Sequence, residues 1–143
     1  MRRPVLRTMP ELTKIDKFEK LAQGFYLYSM FVAPAWFMDD QFVDKSLATN
    51  PGVLCLCSII GCLCACITAL TYVARTADCA DNAFLKTVDQ VSAATWALVA
   101  VNDVRLKDQY PESAFQQNMV LYAALIGGLY YQSTTRGEAK KAK

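Results

Sequence analysis

The chain has 143 residues, of which 54% are hydrophobic and 20% charged, and its net charge is only +2. This near-neutral balance offers no basic stripe for a nucleic acid. The absence of histidine removes the commonest general base, proton switch and metal ligand together.

Charges crowd into the two ends and a few short interior stretches, leaving long apolar runs between them. That layout predicts an all-α integral membrane protein, a single helical membrane domain over residues 1–143 with four transmembrane helices, since about 20 mainly apolar residues cross a bilayer. The basic lead with Arg2, Arg3 and Arg7 gives way to ELTKIDKFEK, residues 11–20, where Leu12, Ile15 and Phe18 recur at helical spacing and predict a surface helix. The first apolar run starts only near Leu21 and no small-residue cleavage site follows it, so no secretory signal is expected.

The first span is expected over 21–38, with Pro34 bending it near its end. Asp39, Asp40 and Asp44 then form an acidic loop that reads as solvated, with cation attraction as the alternative. The second span, 51–74, carries no charge at all. The third, 84–104, has only 91–101 uninterrupted and leaves a three-span alternative open. Its Asp89, Ala93, Trp96, Ala100 and Asp103 form one stripe at helical spacing. The fourth is expected over 114–132, and a basic tail, 136–143, closes the chain.

Sidedness of charge decides between the layouts. With four spans, both tails and the middle loop share one side, where twelve basic residues face three on the other, Lys45, Arg105 and Lys107. The positive-inside rule then predicts both termini on the same, basic side.

Two faces are expected to pack. In the second span Gly61, Ala65 and Ala69 form one small-residue row, and Ser58, Cys62 and Cys66 another. In the fourth, Ala123 precedes Gly127, and Ala124 precedes Gly128, by four. Small rows let helix backbones approach closely where lipid supplies no hydrophobic drive. Leu56, Ile59, Ile60, Leu63, Ile67 and Leu70 occupy another arc, expected against lipid or an apolar neighbour.

Nothing here predicts catalysis or a cofactor. The six cysteines do not converge: Cys55, Cys62 and Cys66 share a face, while Cys57 and Cys64 lie nearly opposite. They read as small packing residues rather than a metal site. Cys79, beside Asp78 and Asp81, has no adjacent base to activate it. Asp89 is expected to form an ion pair with Lys86 at the membrane boundary, the alternative being a proton relay. No phosphate loop, nucleophile elbow, zinc-protease motif or paired glutamates accompany them.

The layout resembles the four-helix family of channel subunits of mitochondrial inner-membrane protein translocases and an accessory subunit of respiratory complex I. The likeness rests on overall length, four expected spans, the rows Gly61/Ala65/Ala69 and Ala123/Gly127, and the polar loop ARTADCADNAF. With six glycines the chain is poorer in that residue than such proteins. The resemblance implies import without a cleaved presequence, which suits a retained Met1, and residence in the mitochondrial inner membrane. The expected role is a non-catalytic accessory subunit of an energy-converting complex, in contact with other membrane subunits and lipid. Neither a nucleic acid nor a small-molecule substrate is expected. A channel or transporter component and a free-standing tetraspan organiser are the alternatives.

Overall fold

A computed structural model describes residues 12–77 and 81–138, and among them it is helix joined by short turns. Thr13 starts the first helix. Its hydroxyl accepts from the Asp16 N–H at 3.2 Å, and the Asp16 carboxylate accepts in return from the Thr13 N–H at 3.0 Å. That reciprocal pair satisfies two amide donors left over at the helix start.

Helix α1, Lys14–Leu27, continues as a π-helical turn over Tyr28–Val32 and breaks at Ala33. Pro34 opens α2, Pro34–Gln41, because a residue without N–H suits a first turn. The expected first span is therefore not a bent rod but two helices with a π turn between. Of the residues expected as a surface helix, 14–20 are the first turns of α1, and Asp16 and Glu19 among them are buried in the bundle.

A 3-10 turn, Lys45–Thr49, leads to α3, Pro51–Thr76. Asn50 caps α3 by accepting from the N–H groups of Gly52 and Val53. Asp81 caps α4, Asn82–Arg105, through Phe84 N–H at 2.8 Å. A second 3-10 turn, Lys107–Gln109, precedes α5, Glu112–Glu138.

Helices α4 and α5 form the most extensive pairing, and α1 lies against both α3 and α5. Val43 N–H donates to Gln109 carbonyl at one end of the bundle, and Arg136 meets Asp16 at the other. Thr13 and Arg136, near the two ends of the described chain, thus stand at the same end of the fold. A core of Ala22, Ala93, Trp96, Tyr122, Leu125 and Leu129 runs between α1, α4 and α5.

Of the four expected membrane spans, one is a candidate by length and hydropathy. Among the described residues only α3, 26 residues long, is long and apolar enough to cross a bilayer. Helix α2 is too short, and the acids carried inward by α1 and α4 and the polar residues of α5 lower the hydropathy of those three, although each still exposes large apolar side chains. Leu21, Leu98 and Val120, from α1, α4 and α5, are each 71–72% exposed.

Gly61 is where backbones come closest. A Cβ there would lie 2.9 Å from Phe31 N and Phe31 Cβ, so the π turn seats directly on α3. Gly128 instead makes room for the Ile15 side chain of α1, whereas Gly127 has open space beside it. Ser58 and Ala65 are half-buried; Cys62, Cys66, Ala69, Ala123 and Ala124 face outward. The inward stripe of α3 is instead Cys57, Gly61, Cys64, Thr68, Thr71 and Arg75, rotated from the expected small face. The arc from Leu56 to Leu70 is exposed. Cys79 and residues 139–143 of the basic tail lie outside the described residues.

Candidate functional site

The fold gathers charge inside itself at one end of the bundle. Antiparallel packing brings the start of α1 and α4 beside the end of α3 and α5, so residues remote in sequence converge. Arg75, with 1% of its side chain exposed, reaches three carboxylates. Its Nε lies 3.1 Å from Asp16, its Nη1 pairs with Glu19, and its Nη2 lies 3.3 Å from Asp89. A planar guanidinium with diverging donors suits such a three-way bridge, which a point ammonium would not.

Asp89 has a second cation. Arg136 Nε donates to its Oδ2 at 2.6 Å, and Arg136 Nη2 approaches Asp16 at 3.7 Å. The expected Lys86 pair is thereby corrected: Asp89 points into the bundle, toward Arg75 and Arg136, whereas Lys86 stands on a neighbouring, half-buried position. Gln132 completes the arrangement. Its amide N–H groups donate to Asp16 at 2.8 Å and to Asp89 at 3.1 Å, while its carbonyl accepts from the Thr13 hydroxyl. Glu19 is fully buried and also accepts from Gln23 and from Trp96 Nε1.

The arrangement is electrostatically sound. Each buried carboxylate has a cation or several N–H donors, which is the condition for keeping charge away from water. Arg75 near the end of α3 and Asp16 in the first turn of α1 also match the helix dipoles.

A second polar centre lies further along the same stripe of α4. Asp103 accepts from Tyr122 and from Tyr110, each at 2.9 Å. Tyr26 stands 3.0 Å from Tyr122, and because Tyr122 gives its proton to Asp103, Tyr26 is the donor of that pair. Burial, then the neighbouring Asp103 carboxylate, pushes the Tyr110 phenol above its ordinary range, which keeps it a donor.

Trp96 lies between the centres, its ring 6.0 Å from Tyr26 and 5.8 Å from Tyr122. An indole donates but cannot accept, so it separates the two centres rather than relaying a proton. Ser29 in the π turn is fully buried, and its hydroxyl has no partner among the described residues.

The stripe Asp89, Ala93, Trp96, Ala100 and Asp103 expected from spacing is the inward face of α4. Sequence reasoning missed the partners on the other helices. The available signal was the spacing of Asp16, Glu19, Gln23 and Tyr26, one helical face that excludes Lys14 and Lys17. Of the acidic residues expected in a loop, Asp39 and Asp40 instead lie in the last turn of α2 and Asp44 caps the 3-10 turn after it; they are taken up locally by Lys45, Gln41 and the Ser46 N–H.

The arrangement ties α1, α3, α4 and α5 together: the three carboxylates of Asp16, Glu19 and Asp89 share the two guanidiniums of Arg75 and Arg136, and the aromatic layer closes the cluster from within. The chain matches no known protein family model, no curated protein and no solved structure.

Proposed function

We propose that the chain is a non-catalytic structural subunit of a larger membrane complex, held in the bilayer through α3. The observation that carries this is the distribution of polarity: ion pairs inside, large apolar side chains outside. Leu56, Leu63 and Leu70 of α3 are 58–70% exposed, and only 11% of its most apolar stretch is buried by the rest of the chain. A surface of that kind asks for lipid or for other subunits.

The finer four-span layout draws support from sidedness of charge and from helix length. Helices α4 and α5, with 24 and 27 residues, exceed about 30 Å at 1.5 Å per residue. Their inward polar stripes would be shielded by the bundle. On the layout resemblance alone, the proposed complex is a respiratory assembly of the mitochondrial inner membrane, similar to complex I. A channel or transporter component is the rival, and it would need interior polar groups left open rather than paired.

The test is mild detergent extraction from the native membrane followed by native-gel sizing. We expect migration far above the mass of 15.9 kDa together with resistance to alkaline carbonate. A carbonate-soluble monomer sinks the proposal.

A further inference from the structure

Helices α1 and α3 leave an open groove of about 480 Å³ between them, on the outside of the bundle. Ala65, Thr68 and Ala69 keep its floor shallow-sided, since none projects beyond a short side chain. Leu27 lies at its deep end, while Leu12, Lys17 and Tyr72 line the end near the start of α1. From Ala65 to Tyr72 the floor spans about 10 Å at 1.5 Å per residue.

The groove is apolar along its length and cationic at one end. Lys20 forms part of the wall, its ammonium held by the Thr68 carbonyl at 3.3 Å, the Thr71 hydroxyl and Gln23 Oε1 at 2.9 Å. Lys17 is exposed beside it. Among the described residues, neither lysine has a carboxylate within ion-pair distance, unlike Arg75 and Arg136 a short way around the helix. The exposed Lys17 ammonium therefore stands at the mouth of an apolar trough, at the end of the bundle that carries most of the basic residues among the described ones, while Lys20 behind it has its three N–H groups already engaged. Long basic side chains in such a place reach to the headgroup level and draw anionic lipid, each contributing a roughly fivefold preference.

We propose that this groove holds one anionic diacyl phospholipid, its phosphate against Lys17 and an acyl chain along Ala65 and Ala69 toward Leu27. The proposal rests on the membrane reading above. It also gives the half-buried Ala65 and the outward Ala69 an occupant, an acyl chain in place of a helix.

The full-length protein, purified in mild detergent, is supplied with phosphatidylglycerol or phosphatidylcholine of matched chains, and retained lipid is counted by native mass spectrometry. Phosphatidylglycerol is expected to be retained in preference. Lys17→Gln should reduce that preference about fivefold, and Ala69→Trp should abolish retention by filling the groove. Lys107→Gln, at the opposite end, should change nothing. Ala69 and Lys17 both face solvent, so neither variant endangers the fold.

Carbonate resistance is measured on the same protein. A carbonate-resistant protein without headgroup preference, or with retention unaffected by Ala69→Trp, overturns the lipid site and leaves the membrane reading intact. A carbonate-soluble protein overturns both. A protein partner cross-linked through position 69 in the native membrane overturns the lipid as occupant.

Discussion

Arg136 Nε donates to Asp89 Oδ2 at 2.6 Å, tying the end of the last helix to the start of α4 across 47 positions of sequence. Lys86, one turn from Asp89, is the nearer cation in sequence. Arg136→Ala should therefore cost about 1.5–3 kcal/mol, the range for a hydrogen bond to a charged group. Lys86→Ala should stay within about 0.5 kcal/mol. Thermal unfolding of the two variants in the same detergent decides it, and equal losses would restore the local pair.

Arg75 is the more severe position. Replacing it by Met keeps much of the volume but leaves Glu19 without its cation and Asp16 and Asp89 short of one. Removal of one partner from a buried ion cluster costs about 3–5 kcal/mol, so Arg75→Met should deplete folded protein altogether in a marginal chain. Arg75→Lys should recover part of the loss, because a single ammonium cannot reach three carboxylates. Full recovery by Lys would mean that charge alone, not the forked geometry, holds the cluster.

Tyr122 links Tyr26 to Asp103. Tyr122→Phe removes two hydrogen bonds and should destabilise by about 1–3 kcal/mol. Tyr26→Phe should cost less, since Asp103 keeps both of its donors. In a double-mutant cycle the two changes should be markedly non-additive, as members of one network are. Additive losses would show that the chain of phenols is not coupled.

On α3, Gly61→Ala meets the Phe31 backbone, which cannot swing aside as a side chain would. An overpacking loss of about 1–3 kcal/mol is expected. Leu63→Ala and Cys62→Ala, both on the exposed arc, should be nearly silent in stability. Assembled complex on native gels gives a second readout: a loss specific to Leu63→Ala there would mark the outer arc as a subunit contact.

Thr13 and Arg136 lie at one end of the fold, so tags added at either terminus should respond alike to protease in intact organelles. One protected and one cleaved tag would contradict both this arrangement and the charge asymmetry.

How much of this was legible in the sequence differs by helix. The buried stripe of α4 could be read from spacing alone, because Asp89, Trp96 and Asp103 stand out against small and apolar neighbours. In α3 the packed face was misplaced, since cysteine, alanine and glycine look alike as small residues and only Phe31 and the α1 polar face select Cys57 and Cys64 over Cys62 and Cys66. Asp16, Glu19 and Arg75 escaped notice for a different reason. Hydropathy averages around a helix, so acids facing inward and lysines facing outward in ELTKIDKFEK sum to a polar surface segment. The segregation by face was present, but its significance depends on Arg75 arriving from another helix.

The π turn over Tyr28–Val32 absorbs a residue without changing rotational phase. It accommodates one residue more per turn than the α-helix, so its five residues sweep about the angle of four α-helical ones. Deletion of a single residue there would let the chain run on as α-helix, with Asp16, Glu19 and Tyr26 keeping their bearings and the seat of Phe31 on Gly61 the contact that is lost. The insertion is thus a shim that fills the gap to α3, and chains of this design should tolerate loss of one residue within it better than loss of one in the flanking α1.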